Sequence, residues 1–360
     1  MSSLTAKEIA SCLREEGVES SRLLARGSGT KKPLWDLEET SLVEMSGFTG
    51  ISEYDPSEYV FTARAGTKLS EIEQVLGEHG QYMPFDPPLA ECGASLGGTV
   101  ATGLSGPGRI RYGGLRDFIL GVQFVDGNGV IVKSGGKVVK NAAGFDLPKF
   151  LAGSMGRLAI LLELTFKVFP KPEDFLTICF ENKTLADAFD QLVLASRSHW
   201  EPDALELEAD GRLFLRLAGN SAALRLRAES ILNKLKNGFI LGTDGANEYW
   251  RKVSNFTWNG NKARYAKVPI SPRDLLRLDA AVNTVDVECR YGMAANVAWL
   301  SWVNDGTTKQ VDKVLRDLEL SGLVLKGHAG ETLIGHRVEY SIQNRVKAVF
   351  DPENRFPPLS

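Results

Sequence analysis

Short apolar runs separated by glycines make up the first half of the chain. Phe118–Val125 and Val130–Lys133 flank the turn sequence Asp126–Gly129, and this pattern predicts a β-hairpin. Leu158–Phe169 is rich in Leu, Ile, Phe and Val, which predicts a buried strand. The other elements predicted here are a strand at Glu58–Ala63 and a helix at Thr67–Gly77.

Beyond Pro172 the glycines thin out and longer helical periods appear. The two prolines of Lys167–Pro172 follow a predicted strand and indicate a domain boundary. The next elements are predicted as strand, helix, strand, strand and helix, at Phe175–Phe180, Leu185–Ser198, Ala204–Glu208, Arg212–Ala218 and Ala222–Leu235. This order is typical of a ferredoxin-like α+β layer. The later elements are helices at Arg273–Val282, Thr308–Glu319 and Arg337–Phe350, with strands within Glu288–Val303 and at Leu323–Lys326.

Composition places the chain among globular proteins with two domains. It has 360 residues, 43% of them hydrophobic, and a net charge of −3, which predicts neither nucleic acid nor membrane as a partner. The four cysteines are too far apart for a zinc or iron–sulfur motif, and no apolar run approaches the ~18 residues of a membrane span. We therefore expect a cytoplasmic protein without an integral membrane segment.

Glycine is concentrated in one region, which holds the strongest candidate motifs. Residues 91–160 contain 16 of the 36 glycines, more than twice an even share. Gly93–Gly108 alternates glycine with Ser and Thr, so it offers backbone donors and hydroxyls to a ligand, although a packing loop remains the alternative. From Pro107 to Asp174 ten basic residues outnumber six acidic ones, which favours an anionic ligand.

A second candidate is the segment Ala25–Thr30, where glycines alternate with polar residues. Successive N–H groups in such a turn can form an anion-binding nest, and an ordinary tight turn is the alternative. The segment lacks the third glycine of the dinucleotide fingerprint GxGxxG. Gly135-Gly-Lys137 does not form a phosphate-binding P-loop, because Val138 stands where the motif requires Ser or Thr.

These motifs occur in one order together with several shorter ones. The shorter ones are Arg111–Asp117, Leu120–Gln123, Asp126–Gly129, Lys140–Asp146 and Gly153–Gly156. The ordered set resembles the FAD-binding domain of the vanillyl-alcohol oxidase type, the PCMH fold, over most of residues 20–172. More narrowly it resembles the FAD-binding subunits of bacterial glycolate oxidases, mainly through the stretch from Lys140 to Met155.

The resemblance implies an α+β protein in three parts. A PCMH-type FAD-binding domain of two α+β subdomains (residues 1–172) is followed by a ferredoxin-like α+β cap domain (173–330). A C-terminal helix and tail (331–360) return to the FAD domain. The cofactor implied is FAD, and we expect it to be non-covalent because Thr30 stands where relatives with a tethered flavin have histidine.

The resemblance also implies which residues bind FAD. The pyrophosphate would contact Arg26, Gly27, Ser28, Gly29, Thr30, Ser95, Leu96, Gly97 and Gly98. The ribityl chain and flavin would contact Thr102, Ser105 and Gly106, and the adenosine would lie near Gly156 and Ile160. The close backbone approach expected at Gly97 and Gly98 predicts that a β-branched residue at either position abolishes flavin retention in a chain that still folds.

Residues for substrate chemistry are less evident than those for the cofactor. Arg290 could bind a carboxylate, with a structural salt bridge as the alternative. The segment Gly327–Glu331, which contains His328, echoes part of a metal-binding motif of related hydroxy acid dehydrogenases. His328 and His336 are eight residues apart, a spacing that does not suit a metal pair, so no metal is expected.

Three functional hypotheses remain open on the sequence. The first is an FAD subunit of a multi-subunit glycolate oxidase that acts on glycolate or a similar small 2-hydroxy acid. It would work with a larger FAD-linked subunit and an iron–sulfur subunit, which could hold it at the inner face of a membrane. The second is a self-sufficient FAD oxidase or dehydrogenase of a small alcohol, sugar or hydroxy acid. The third is a non-catalytic assembly subunit with structural FAD.

Overall fold

The computed structural model describes residues 5–14, 22–31, 40–136, 145–260, 264–327, 332–337 and 341–359. The chain divides into two compact units. Unit 1 comprises Met1–Ser105, Gly113–Lys171 and Glu339–Ser360, and unit 2 comprises Gly106–Tyr112 and Pro172–Val338. The two units therefore separate within one residue of Pro172, and a seven-residue segment from the glycine-rich region groups with unit 2.

Unit 1 is built mainly from antiparallel strands, one parallel pair of strands and short helices. Its strands are β1 (Arg22–Arg26), β2 (Thr40–Glu44), β3 (Ile51–Asp55), β4 (Val60–Arg64), β5 (Gln81–Tyr82), β6 (Ile119–Val125), β7 (Ile131–Gly135), β8 (Ile160–Lys167) and β9 (Phe169–Pro170). Its helices are α1 (Ala6–Arg14), α2 (Leu69–Glu78), α3 (Leu96–Thr102), α5 (Leu115–Phe118), α6 (Leu147–Leu151) and α12 (Ser341–Phe350), while α4 (Arg109–Tyr112) belongs to unit 2. Among the described residues, one sheet has the order β3-β4-β8-β6-β7, and β1 pairs in parallel with β2.

The predicted hairpin is confirmed as β6 and β7. Asp126 Oδ1 accepts hydrogen bonds from the N–H groups of Asn128 (3.0 Å) and Val130 (2.8 Å), and Gly129 has a φ of +71°. Because an aspartate carboxylate can take the place of a backbone acceptor in a turn, these two bonds fix the reversal. The buried strand predicted at Leu158–Phe169 is confirmed as β8, the central strand of the sheet.

A helix interrupts the glycine-rich segment that the sequence presented as a loop. Helix α3 begins after Ser95, whose Oγ accepts a hydrogen bond from Gly98 N, and ends at Gly103, which is left-handed with a φ of +61°. Glycine disfavours helix interiors by about 1 kcal/mol per residue, so two adjacent glycines concealed this helix. The N-cap and the fully buried side chains of Leu96 and Val100 stabilise it instead.

Unit 2 is dominated by one antiparallel sheet, which has nine strands among the described residues. The strands are β10 (Asp174–Glu181), β11 (Ala204–Glu208), β12 (Arg212–Gly219), β13 (Gly238–Ile240), β14 (Arg264–Pro269), β15 (Glu288–Gly292), β16 (Val297–Trp302), β17 (Ser321–Lys326) and β18 (Leu333–Gly335). The helices are α7 (Leu185–Ser196), α8 (Ser221–Lys234), α9 (Thr243–Asn255), α10 (Leu275–Val282) and α11 (Asp305–Asp317), with 3₁₀ turns at Thr257–Asn259 and Pro272–Asp274.

The ferredoxin-like layer predicted once occurs twice in this sheet. The strands β10 to β13 lie in the order β13-β10-β12-β11, and β14 to β17 lie in the corresponding order β17-β14-β16-β15. The two motifs join edge to edge where β11 pairs with β15. The sequence concealed the second motif because its first strand, β14, ends in Pro269 and follows a stretch without clear periodicity.

The leucine-rich side of this sheet packs under four helices. Leu205, Leu207 and Leu215 are fully buried against helices α7 and α8, and Leu275 and Leu278 of α10 belong to the same core. Residues that alternate with the leucines, such as Glu206 and Glu208, therefore point to the opposite face. Helix α9 contacts that face through Tyr249 and Trp250.

Candidate functional site

A cavity of about 100 Å³ lies within unit 1, where the end of β1 meets helix α3. Small or flexible residues form most of its wall. The lining residues are Leu24, Ala25, Arg26, Gly27, Ser28, Gly29, Thr30, Lys31, Met45, Ala65, Ser95, Gly97, Gly98, Ala101, Thr102, Met155, Gly156, Ala159 and Leu161. Ten of the fourteen residues predicted to bind FAD are among them.

The first wall is the segment 26–31, which we call the cradle loop. The carbonyl of Arg26 accepts a hydrogen bond from Met45 N (2.8 Å), and Gly29 takes a φ of +75°. Within the described part of the chain, the N–H groups of residues 27–31 have no hydrogen-bond acceptor. A Cβ at Gly27 would collide with Ser95 Oγ, so a glycine is required there for the two walls to meet. The cradle loop therefore presents unused backbone donors, as an anion-binding nest does.

The second wall is the start of helix α3, and its backbone donors are already used. Leu96 N donates to Thr67 O (2.9 Å) and Gly97 N donates to Ala65 O (2.8 Å). Gly98 N donates to the capping hydroxyl of Ser95 (3.3 Å). This helix terminus therefore contributes a smooth surface to the cavity and no free N–H group in its first turn.

Four of the predicted residues do not line the cavity. Leu96 is fully buried in the core, and Ile160 pairs with Val125 in the sheet. The Ser105 hydroxyl accepts a hydrogen bond from Leu115 N (2.9 Å), while Gly106 belongs to unit 2. Thr102 does line the cavity, but its hydroxyl donates to Gly98 O (2.8 Å) within the helix. For Leu96, Ser105 and Ile160 the structure provides a packing role, and their proposed contact with FAD rests on the resemblance alone.

Lys31 is a cavity residue that the sequence reasoning missed. Its side chain is only 7% exposed, and its Nζ donates to Thr30 Oγ1 at 3.2 Å. No carboxylate pairs with Lys31 among the residues that the structure describes. Burial lowers the pKa of Lys31 to about 8, partly offset by the nearby Cys92. The sequence signal for Lys31 was its position directly after the candidate nest. The burial of its side chain could not be predicted from the sequence.

The cavity fits the phosphate portion of a dinucleotide. It offers free N–H donors, one buried amine and glycines that let a ligand approach the backbone. Its volume is below the roughly 300–1,000 Å³ of complete small-molecule sites. Unit 1 thus has room here for part of FAD, and the pyrophosphate is the part that matches the donors.

Arg290, the carboxylate-binding candidate, lies in unit 2 and is 1% exposed. Its Nη2 lies 2.9 Å from Glu206 Oε2 and 3.5 Å from Glu208 Oε1. The hydroxyl of Tyr249, on helix α9, donates to Glu208 Oε1 (2.9 Å) and lies 3.3 Å from the same Arg290 nitrogen. Arg290 therefore neutralises carboxylates of its own sheet in this structure.

The surroundings of Arg290 exclude solvent. Its guanidinium carbon lies over the rings of Tyr249 and Trp258, at 5.8 Å and 5.7 Å from their centroids. Burial raises the pKa of Glu206 to about 7, although Arg290 and the N–H of Met293 act in the opposite direction. An incoming substrate carboxylate would have to displace helix α9 and compete with two internal carboxylates.

Of the two histidine candidates, His336 alone lies within the described residues. His336 is exposed, and its backbone pairs with Leu320 and Ser321. His328 and most of the Lys140–Asp146 motif lie outside the described residues. Within the residues described, His, Cys, Asp and Glu side chains form no group of three that could hold a metal ion. The same residues contain no helix that is long and apolar enough to cross a bilayer.

Comparisons with known proteins agree with the cofactor interpretation. Residues 4–135 match the family described as FAD binding domain. The glycolate oxidase subunit GlcE of Escherichia coli K12 is 33% identical over 235 residues, which cover 64% of this chain and 63% of GlcE. The D-lactate dehydrogenase of Archaeoglobus fulgidus is 29% identical over 203 residues, 56% of this chain and 45% of that protein. The matches thus span less than two thirds of these relatives.

Solved structures share the fold across nearly the whole chain. Alkyldihydroxyacetonephosphate synthase, in two crystal forms, superimposes with TM-scores of 0.71 and 0.70. The match covers 98% and 97% of this chain and 75% of that protein, at 16% sequence identity. The resemblance to FAD-binding proteins, the α+β fold class and FAD as cofactor are therefore confirmed.

Proposed function

We propose that this chain, whose residues 4–135 match the FAD binding domain family, is the FAD-binding subunit of a multi-subunit glycolate oxidase. The assembly would oxidise glycolate, or a similar small 2-hydroxy acid, and pass the electrons to an iron–sulfur subunit. The likeness to GlcE carries this proposal, because that match covers 64% of this chain at 33% identity. A subunit of the same name series, GlcD of Bacillus subtilis, is 32% identical over 128 residues, 36% of this chain and 27% of GlcD.

Unit 1 would bind the cofactor through the cradle loop. The N–H groups of residues 27–31 would donate to the pyrophosphate, and the small residues of helix α3 would let the dinucleotide lie close to the backbone. Bound FAD supplies the hydride acceptor for oxidation of an alcohol carbon. The protein's contribution here is to hold the anionic portion of the cofactor and to keep it out of water.

The state of Arg290 supports a shared rather than a self-sufficient reaction. Oxidation of a hydroxy acid requires a cation for the carboxylate and a base for the hydroxyl proton. Arg290, which the sequence offered for the first role, is buried and paired with Glu206 and Glu208. A partner subunit that binds the substrate would remove the need for such groups in this chain, and it would also hold the assembly at a membrane.

The second candidate function is a self-sufficient FAD-dependent dehydrogenase of a small hydroxy acid. It is favoured by the matches to D-lactate dehydrogenases, including that of Anaerostipes hadrus at 33% identity over 166 residues, 46% of this chain and 34% of that protein. A non-catalytic subunit with structural FAD is the third. The two alternatives differ in whether this chain's flavin is ever reduced by substrate.

Turnover measurements separate the three functions. The purified, FAD-loaded chain is mixed with glycolate or D-lactate and a dye acceptor, first alone and then with the co-expressed partner subunits. The proposal predicts dye reduction only in the assembly. It further predicts that an assembly whose copy of this chain cannot bind FAD loses that activity. Turnover by the chain alone would support the self-sufficient enzyme. Full activity of an assembly in which only this chain lacks FAD would support the non-catalytic subunit.

A further inference from the structure

Lys31 differs from Arg26, the other basic residue of the cradle loop, in its burial and in having no counter-ion among the residues that the structure describes. It is 7% exposed, whereas Arg26 is partly exposed and forms an ion pair with Glu44. The Lys31 side chain lines the same cavity as Gly29, Gly98 and Thr102. Lys31 therefore belongs to the wall of the proposed cofactor site, and its Nζ lies 3.2 Å from the hydroxyl of Thr30, another lining residue.

A buried ammonium group without a counter-ion is costly, because burial removes its hydration. Among the described residues, its one hydrogen-bond partner is the neutral hydroxyl of Thr30, at 3.2 Å. Residues 27–31, whose N–H groups have no acceptor in the described part of the chain, line the same cavity. All of these groups are donors, so together they require an acceptor with negative charge.

We propose that Lys31 binds the pyrophosphate of FAD directly and supplies the positive charge that the backbone donors of the cradle loop lack. This inference rests on FAD binding at the cavity and is independent of which substrate the flavin oxidises. An ammonium–phosphate hydrogen bond is stronger than one between neutral groups, and it is stronger still where water is excluded. Lys31 would thereby set much of the cofactor affinity.

The charges around Lys31 make the binding dependent on pH. The free protein holds Lys31 with a pKa of about 8, lowered by burial. Cys92 faces it from the loop before α3, and the pKa of that thiol is itself raised by burial and by Glu91. On the strand side, Arg26 is paired with Glu44. A bound pyrophosphate would raise the pKa of Lys31, so above pH 8 FAD binding should take up a proton.

Proton uptake can be measured on the unmodified chain. FAD is titrated into the apoprotein by calorimetry at pH 8.5 in two buffers of different ionisation enthalpy. We expect the apparent enthalpy to differ between the buffers by an amount that corresponds to net proton uptake. FAD binding without proton uptake would overturn the proposal, and a failure of FAD to bind at all would overturn the cofactor site as well.

Variants then assign the effect to Lys31. Lys31→Met keeps the length of the side chain and removes the charge, and Lys133→Met, an exposed lysine of strand β7, is the matched control. We expect Lys31→Met to weaken FAD binding by about 10- to 100-fold. The FAD affinity of the unmodified chain should fall as pH rises above 8, and Lys31→Met should remove this pH dependence. Lys133→Met should leave both unchanged.

Riboflavin, which lacks the pyrophosphate, distinguishes a phosphate contact from a general defect of the cavity. Lys31→Met should bind riboflavin as the unmodified chain does. Equal loss of riboflavin and FAD affinity, or unchanged FAD affinity, would contradict the proposal. The calorimetric result on the unmodified chain decides the question even if Lys31→Met does not fold.

Discussion

Three glycines of the cofactor cavity are required for different physical reasons. A Cβ at Gly27 would collide with Ser95, and a Cβ at Gly97 would lie 2.7 Å from the Cβ and 2.9 Å from the carbonyl of Ala65. A Cβ at Gly98 would have one close neighbour among the described residues, Ser95 Oγ at 3.1 Å, and Gly98 lines the cavity. Gly27 and Gly97 thus allow two parts of the protein to pack together, whereas Gly98 keeps the cavity open.

Substitution by alanine should separate these two roles. Gly97→Ala is expected to destabilise unit 1 by about 1–3 kcal/mol, because its new methyl group overpacks against Ala65. Gly98→Ala should keep the stability of the unmodified chain, since alanine favours a helix, but it should weaken FAD binding. Urea denaturation of the apoprotein and FAD titration measure the two effects. Equal loss of stability in both variants would refute the distinction.

The steric difference between Gly97 and Gly98 refines the sequence-based prediction for this pair of glycines. The sequence indicated that both glycines admit the cofactor, because only the local spacing of glycines is visible in a sequence. The contact of Gly97 with Ala65 depends on strand β4 lying beside helix α3, which is a tertiary arrangement. The cradle loop could be found in advance because a nest is a local backbone feature.

Lys31 should also affect the stability of the apoprotein. Its pKa is about 8 in the folded protein and 10.5 in its ordinary state, so the unfolded chain binds more protons between these values. Stability should therefore rise with pH in this window through Lys31, whereas below pH 8 the buried ammonium group should lower stability by a constant amount that does not change with pH. Urea denaturation gives the free energy of unfolding of the unmodified chain and of Lys31→Met at each pH. The difference between the two values isolates the contribution of Lys31 from that of Lys267, whose pKa is also lowered by burial. A constant difference from pH 7 to pH 9.5 would contradict the assignment.

At the scale of elements, helix α9 and the 3₁₀ turn after it determine what the face of the unit 2 sheet can do. Tyr249 stacks on Phe214 with ring centroids 3.6 Å apart, and Trp250 Nε1 donates to Thr177 Oγ1 at 2.8 Å. These contacts cover the ion pairs of Arg290. The sequence did not predict α9 or strand β14. Without these elements, Arg290 was interpreted as a cation that could bind a substrate carboxylate. Its pairing with Glu208 depends on the register of β11 against β15, which no local pattern encodes.

Arg290→Met should lower the stability of unit 2 by about 3–5 kcal/mol, because it leaves two carboxylates without their cation. Five of the six tryptophans are in unit 2, so tryptophan fluorescence during denaturation reports mainly on it. Arg251→Met, an exposed arginine of helix α9, is the control and should have little effect. A stable Arg290→Met protein whose assembly requires far more glycolate for turnover would instead identify Arg290 as a substrate-binding residue.

At the scale of the whole molecule, the chain returns to unit 1 after completing unit 2. Helix α12 and the tail are fixed there by Lys347, whose Nζ donates to Asp351 Oδ2 (2.6 Å) and to the carbonyls of Arg157 and Phe356. Gly127 N, in the β6–β7 turn, donates to Phe350 O (2.7 Å). The sequence predicted the helix from its periodicity and the return from the family resemblance, but not the buried ion pair, since Lys347 and Asp351 could equally have formed a solvated pair along the helix surface.

Asp351→Ala should destabilise unit 1 by about 3–5 kcal/mol, because Lys347 then remains buried without its partner and the N–H groups of Arg355 and Phe356 lose their acceptor. Hydrogen exchange of peptides from α12 and the β6–β7 turn should increase together. Glu353→Ala, an exposed neighbour, should leave the exchange unchanged. Faster exchange confined to the tail would indicate that the ion pair serves only the terminus.

The most direct test of the account is the FAD content of the purified chain and of its Gly98→Val variant. Each protein is loaded with FAD, freed of excess cofactor and precipitated with acid, and flavin is measured in the supernatant and the pellet. We predict about one equivalent of FAD per unmodified chain, all of it released into the supernatant, and little FAD in the folded Gly98→Val variant. Flavin retained in the pellet would contradict non-covalent binding. Equal FAD in both proteins would show that the cofactor does not occupy the cavity between the cradle loop and helix α3.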